Sequence, residues 1–174
     1  MKNTVLALIA FLAMSVSAFA QDNETKSSFA YSNITEFGFF TTSPISIAFE
    51  ATTVQGFSID KKHHLGLGFG IGGCIMFDSY WGDEEECAYT PIFVNYRYYF
   101  NPGKSFSPHI NAALGGLIAT DGGGIYSAIT MGFLAGKFSF SSGFSFLFVT
   151  EKDWYGDLVG YFPLGITIKC GFSF

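Results

Sequence analysis

The chain has 174 residues and a formal net charge of −5; 49% of it is hydrophobic, 19% aromatic and only 13% charged. That charged share is about half of what a soluble domain carries, and an acidic balance without a basic run argues against a nucleic-acid partner. No apolar run beyond the first twenty residues reaches the roughly 20 that a membrane-spanning helix needs, so a composition suited to lipid leaves the closed β-barrel.

Residues 1–20 have the layout of a secretory signal peptide. Lys2 supplies the charged start, Val5 to Met14 the apolar centre, and Ala18-Phe19-Ala20 an A-x-A cleavage site. About 150 residues remain after cleavage, the length of one domain. Residues 21–30 are expected to form a short periplasmic segment, and 31–174 the barrel.

Eight segments alternate with period two, the signature of strands with two unlike faces. They are expected near 31–42, 45–59, 63–78, 88–100, 105–119, 124–136, 138–150 and 159–174. The second carries Ile45, Ile47, Phe49, Ala51, Phe57 and Ile59 on one face. The third carries Leu65, Leu67, Phe69, Ile71, Ile75 and Phe77, against Gly66, Gly68, Gly70 and Gly72 on the other. The seventh sets Phe138, Phe140, Phe144, Phe146 and Phe148 against Ser139, Ser141, Gly143 and Ser145. The last runs from Phe162 through Leu164, Ile166, Ile168, Cys170 and Phe172 to Phe174, with small or polar residues between.

Bulky uncharged side chains on one face and tiny polar ones on the other invert the pattern of a soluble barrel. They fit an all-β, eight-stranded antiparallel up-and-down transmembrane β-barrel with lipid outside. Charges keep the same phase: Glu36, Glu50, Arg97 and Lys169 fall on the small-residue faces, with His64 and His109 beside them. An ionic cluster of these four inside the lumen is expected. The glycines of Gly66 to Gly73 read as room for large side chains crossing a narrow lumen. A phosphate-binding loop would need a helix to follow.

The turns sort into two sets. Those near 60–63, 101–104 and 136–137 hold Lys61, Lys62, Lys104 and Lys137 against Asp60, and are assigned to the periplasmic side with the C-terminus. The other set, 42–44, 79–87, 120–123 and 151–158, is acidic and assigned to the cell exterior. Interfacial aromatic girdles are expected at Trp81, Tyr89, Trp154 and Tyr155 on that side, and at Phe100 and Phe138 on the other. Asp83, Glu84, Glu85 and Glu86 offer clustered carboxylates to a divalent cation, without the spacing of a calcium loop, so no metal is expected. The three cysteines read as free thiols, with Cys87 in a loop; a Cys74–Cys87 bridge across one hairpin stays open.

With the signal peptide, the closing segment Ile166-Thr-Ile-Lys-Cys-Gly-Phe-Ser-Phe174 and Pro91-Ile-Phe-Val-Asn-Tyr-Arg-Tyr-Tyr-Phe100, the chain resembles small outer-membrane β-barrels of Gram-negative bacteria. The class is the outer-membrane protein A/X/W-like one, and the chain is also similar to uncharacterised Bacteroidetes barrels. The resemblance implies that the barrel-assembly machinery reads Phe172 and Phe174, and that outer-membrane lipids and lipopolysaccharide surround a monomer. No catalytic residue and no cofactor is implied. His109, Ser139 or Ser141, and Glu50 are the closest ingredients of a lipid A-modifying enzyme, but the sequence reads His109-Ile-Asn111, without a deacylase-like His-x-Ser-Asn. The expected function is a non-enzymatic outer-membrane barrel with a filled lumen, serving envelope integrity or surface interaction through acidic loops. The alternatives are a conduit for small hydrophobic molecules with lateral exit and, remotely, the enzyme.

Overall fold

A period-two chain can bury one face only by pairing into a sheet, and the pairing decides whether that sheet has edges. The computed structural model describes residues 29–42, 46–77, 84–119, 122–152, 158–161 and 164–174. Its strands are β1 (Phe29–Thr42), β2 (Ser46–Ile59), β3 (His63–Phe77), β4 (Glu84–Tyr99), β5 (Phe106–Ala119), β6 (Gly122–Ala135), β7 (Phe138–Lys152), β8 (Leu158–Tyr161) and β9 (Leu164–Ser173). From β1 to β7 each strand pairs antiparallel with the next. β9 pairs with both β7 and β1, while β8 extends along the far end of β7. β8 and β9 together occupy the eighth place, and the sheet closes as an eight-stranded antiparallel barrel.

The expected segments coincide with these strands apart from their ends. β4 begins at Glu84, so Glu84, Glu85, Glu86 and Cys87 belong to a strand and not to a loop. Residues 1–28, with the expected signal peptide, lie outside the described residues. So do Trp81, Asp83, Trp154 and Tyr155, which carry three of the girdle assignments and one of the acidic ones.

Side-chain phase follows the sequence pattern. Leu67, Ile129 and Met131 point outward with 64% to 68% of their surface exposed, while the alternate residues are buried. The outward face of the described strands is largely apolar, with one polar block on β1 and β2 in which Asn33 and Thr53 are themselves covered. There Asn33 lies opposite Gln55 and Thr35 opposite Thr53. The block satisfies itself: Thr35 Oγ1 is 3.2 Å from Asn33 Oδ1, Gln55 Nε2 donates to Thr53 Oγ1 at 3.0 Å, and the Tyr31 hydroxyl donates to Gln55 Oε1.

Backbone bonds tie the turns into one rim at the end holding Phe174. Tyr99 N donates to Lys62 O, Gly136 N to Ser105 O and Ser173 N to Lys137 O, while Asn33 and Phe174 exchange two bonds. The β2–β3 turn places Asp60 and Lys61 at φ 52° and 57°. A turn with two successive residues of this hand favours Asn-Gly. Holding side-chain-bearing residues there costs about 1 kcal/mol or more each.

Pro91 sits inside β4, buried on the lumen face. The β3–β4 register lapses at Gly70 and Ile71, which face Pro91 and Thr90. A proline has no N–H to give to that ladder.

The reading of three free thiols is corrected. Cys74 is disulfide-bonded, Cys170 is the free, exposed cysteine, and the register sets Cys87 directly across from Cys74. The bridge that the sequence left open joins positions that strand register brings within bridging reach. Disulfides persist in oxidising compartments. Reduction is expected to lower stability by about 2–3 kcal/mol, since the bridged loop is short. Urea unfolding with and without reductant checks it.

Candidate functional site: the filled lumen

The lumen is organised from the Phe174 end upward, and glycines set who meets whom. Glu36 pairs in register with Gly171, and Gly171 with Ser139, so a missing side chain separates Glu36 from Ser139. Ser139 Oγ donates to Glu36 Oε1 at 3.0 Å across that gap. Arg97 completes the layer: Nη2 lies 2.7 Å from Glu36 Oε1, and Nη1 donates to Ser139 Oγ at 3.0 Å. Arg97 is fully buried and Glu36 nearly so. Beside them Asn95 Nδ2 donates to Asn111 Oδ1 at 2.7 Å, and Asn111 Nδ2 to Thr130 Oγ1 at 3.3 Å.

Two residues further along β1 the same device recurs. Gly38 stands between Glu50 on β2 and Lys169 on β9. A Cβ at Gly38 would lie 2.8 Å from Glu50 Cγ, so only glycine leaves the two charges free to meet. They form an ion pair. Tyr126 bridges it, its hydroxyl donating to Glu50 Oε1 at 3.1 Å and accepting from Lys169 Nζ at 2.8 Å. The four expected residues all line the lumen, as two stacked ion pairs.

Above the ions the lumen turns apolar. Phe40, Tyr89, Phe93, Leu117, Tyr126 and Leu147 are buried in one cluster, with Cys74 packed against it. The Phe93 and Tyr126 rings lie 5.0 Å apart, joining this plug to the upper ion pair. The β3 glycines make room: a Cβ at Gly68 would strike the Phe93 ring, and one at Gly72 would lie 2.6 Å from the Tyr89 hydroxyl.

Two expectations are corrected here. Tyr89 is only 5% exposed and belongs to the plug, not to a girdle. The lumen face is not small and polar throughout, because Phe40, Phe93, Leu117 and Leu147 are buried there as well. Phe100 and Phe138 are exposed at the turn end, and Phe172 and Phe174 are exposed along the closing seam. Among the described residues no group of His, Cys, Asp and Glu is arranged to hold a metal ion. Tyr126 and Phe93 were missed by sequence reading, although their strand parity places them inside.

His109 and Ser141 flank Gly132 as the charged pairs flank their glycines. Among the described residues neither ring nitrogen of His109 nor the Ser141 hydroxyl has a hydrogen-bond partner, so the two do not form a His–Ser dyad. Both side chains are almost wholly buried.

No family model and no curated protein matches the chain. Solved structures do. Neisserial surface protein A (NspA) is 12% identical, with a TM-score of 0.57, covering 84% of this chain and 96% of its own. The outer-membrane enzyme PagL is 12% identical, with a TM-score of 0.52, covering 79% of this chain and 97% of its own. The fold is that of small eight-stranded outer-membrane barrels.

Proposed function

We propose that this barrel resides in the bacterial outer membrane and works without catalysis, as a sealed wall element contributing to envelope integrity or surface contact. The observation that carries this reading is the lumen: two ion-paired layers beneath a packed aromatic plug. Eight strands enclose an interior just wide enough for side chains to fill, and here they fill it. The exposed outer surface is apolar around the barrel, as acyl chains require.

Two further features support the reading. The disulfide at Cys74 fits an exported protein. The His109 and Ser141 side chains are buried in the lumen and cannot reach a lipid lying against the outer wall. PagL is an enzyme by its own description, but a shared fold does not carry chemistry with it. A hydrophobic conduit would need the upper lumen free, and Phe40, Phe93 and Leu117 occupy it.

In planar bilayers the folded protein should show no steady conductance. Adding it to lipid A should leave the acyl chain mass spectrum unchanged. A persistent open channel, or loss of an acyl chain that depends on His109, would overturn the proposal.

A further inference from the structure

We propose that the turn-end rim is a docking surface for the headgroups of anionic glycerophospholipids in the leaflet it meets. The inference rests on the reading that lipid surrounds the barrel, and adds the partner of one rim. Lys61, Lys62, Lys104 and Lys137 all lie in the connections at this end, and all four are exposed. Rim bonds tie two of these connections to the neighbouring strands: Lys62 O accepts from Tyr99 N, and Lys137 O from Ser173 N, beside Phe174. Among the described residues of these connections, the acid facing the four ammonium groups is Asp60. The surplus is positive.

Just inside the lysines lies a belt of exposed rings, including Phe57, Phe100, Phe106, Phe138 and Phe174. Rings at the acyl boundary with ammonium groups beyond them match the depth profile of a phospholipid, apolar chain then phosphate. A water-soluble acidic partner would need the lysines but not the ring belt beneath them. Lys137 spans both zones, its Nζ 5.3 Å from the centre of the Phe174 ring.

The turn itself adds an independent observation. Lys61 has φ 57°, a conformation that suits glycine and strains a side-chain-bearing residue. Replacing Lys61 by glycine therefore relieves backbone strain while it removes the charge, so a lost preference cannot come from a weakened turn.

The test uses the full folded chain in phosphatidylcholine vesicles doped with spin-labelled lipids. Labelled phosphatidylglycerol should associate with the barrel about fivefold or more over labelled phosphatidylcholine at low salt. That preference should fall toward one at about 1 M salt and in the variant K61Q/K62Q/K104Q/K137Q. The single variant Lys61→Gly should fold at least as well as the parent yet lose part of the preference, which keeps the test decisive if the quadruple variant does not fold. Selectivity that survives the lysine changes or high salt overturns the inference, as does a preference that moves wholly to lipid A. A chain that enters no vesicle, restricting no labelled lipid and showing no folded gel shift, sinks the lipid-facing reading instead.

Discussion

Replacing Arg97 by methionine should lower the unfolding free energy by about 3–5 kcal/mol, because it strands a buried carboxylate. Glu36 Oε1 takes its ionic bond from Arg97 and a neutral one from Ser139. With the guanidinium gone, only the serine hydroxyl remains, which cannot offset the removal of a charge from water. The double variant Arg97→Met/Glu36→Met should recover most of the loss, since two apolar side chains of similar volume need no partner. Urea unfolding from vesicles, followed by gel shift and tryptophan fluorescence, reads both. If the single and double variants lost equal stability, the loss would come from packing around Arg97 and not from the stranded charge.

The ionic layers also show which parts of the lumen could be read from sequence. Parity alone puts Glu36, Glu50, Arg97 and Lys169 inside, because each alternates with bulky apolar neighbours. Partner choice is another matter. Glu36 meets Arg97 and Ser139, while Glu50 meets Lys169, because of the stagger between strands three places apart and the gaps at Gly171 and Gly38. Neither is visible before the register is known.

Tyr89 shows the opposite failure. It lies eight residues before Arg97 and shares its parity, so the signal for burial was present. It was read as interfacial because the acidic run before it suggested a loop, whereas β4 extends down to Glu84. The same misplaced boundary left the pairing of Cys74 undecided. The polar block of Asn33, Thr35, Thr53 and Gln55 was also legible as outward by parity. Cross-strand bonds, Thr35 to Thr53 and Tyr31 to Gln55, help satisfy it, and a single strand does not display those.

Glycine is a poor strand residue, so changing it to valine in a strand ordinarily helps or is neutral. At Gly171 the sign should reverse. A Cβ there would lie 2.6 Å from Glu36 Cα and would press on the Thr35 carbonyl, both backbone atoms of the neighbouring β1. Backbone cannot rotate aside as a side chain can, so β1 and β9 would have to part at the seam that closes the barrel. The same methyl groups would separate Glu36 from Ser139. Gly171→Val should therefore cost about 3 kcal/mol or more, overpacking and a broken buried bond together, and should reduce the yield of folded barrel on gels. Gly116 provides the control: it faces outward on β5, and a Cβ there meets only the Gly124 carbonyl, at 3.5 Å. Gly116→Val should leave stability unchanged or slightly raised. Should both valines behave alike, the glycines would be tuning strand propensity and not setting the distance across which the lumen's charges meet.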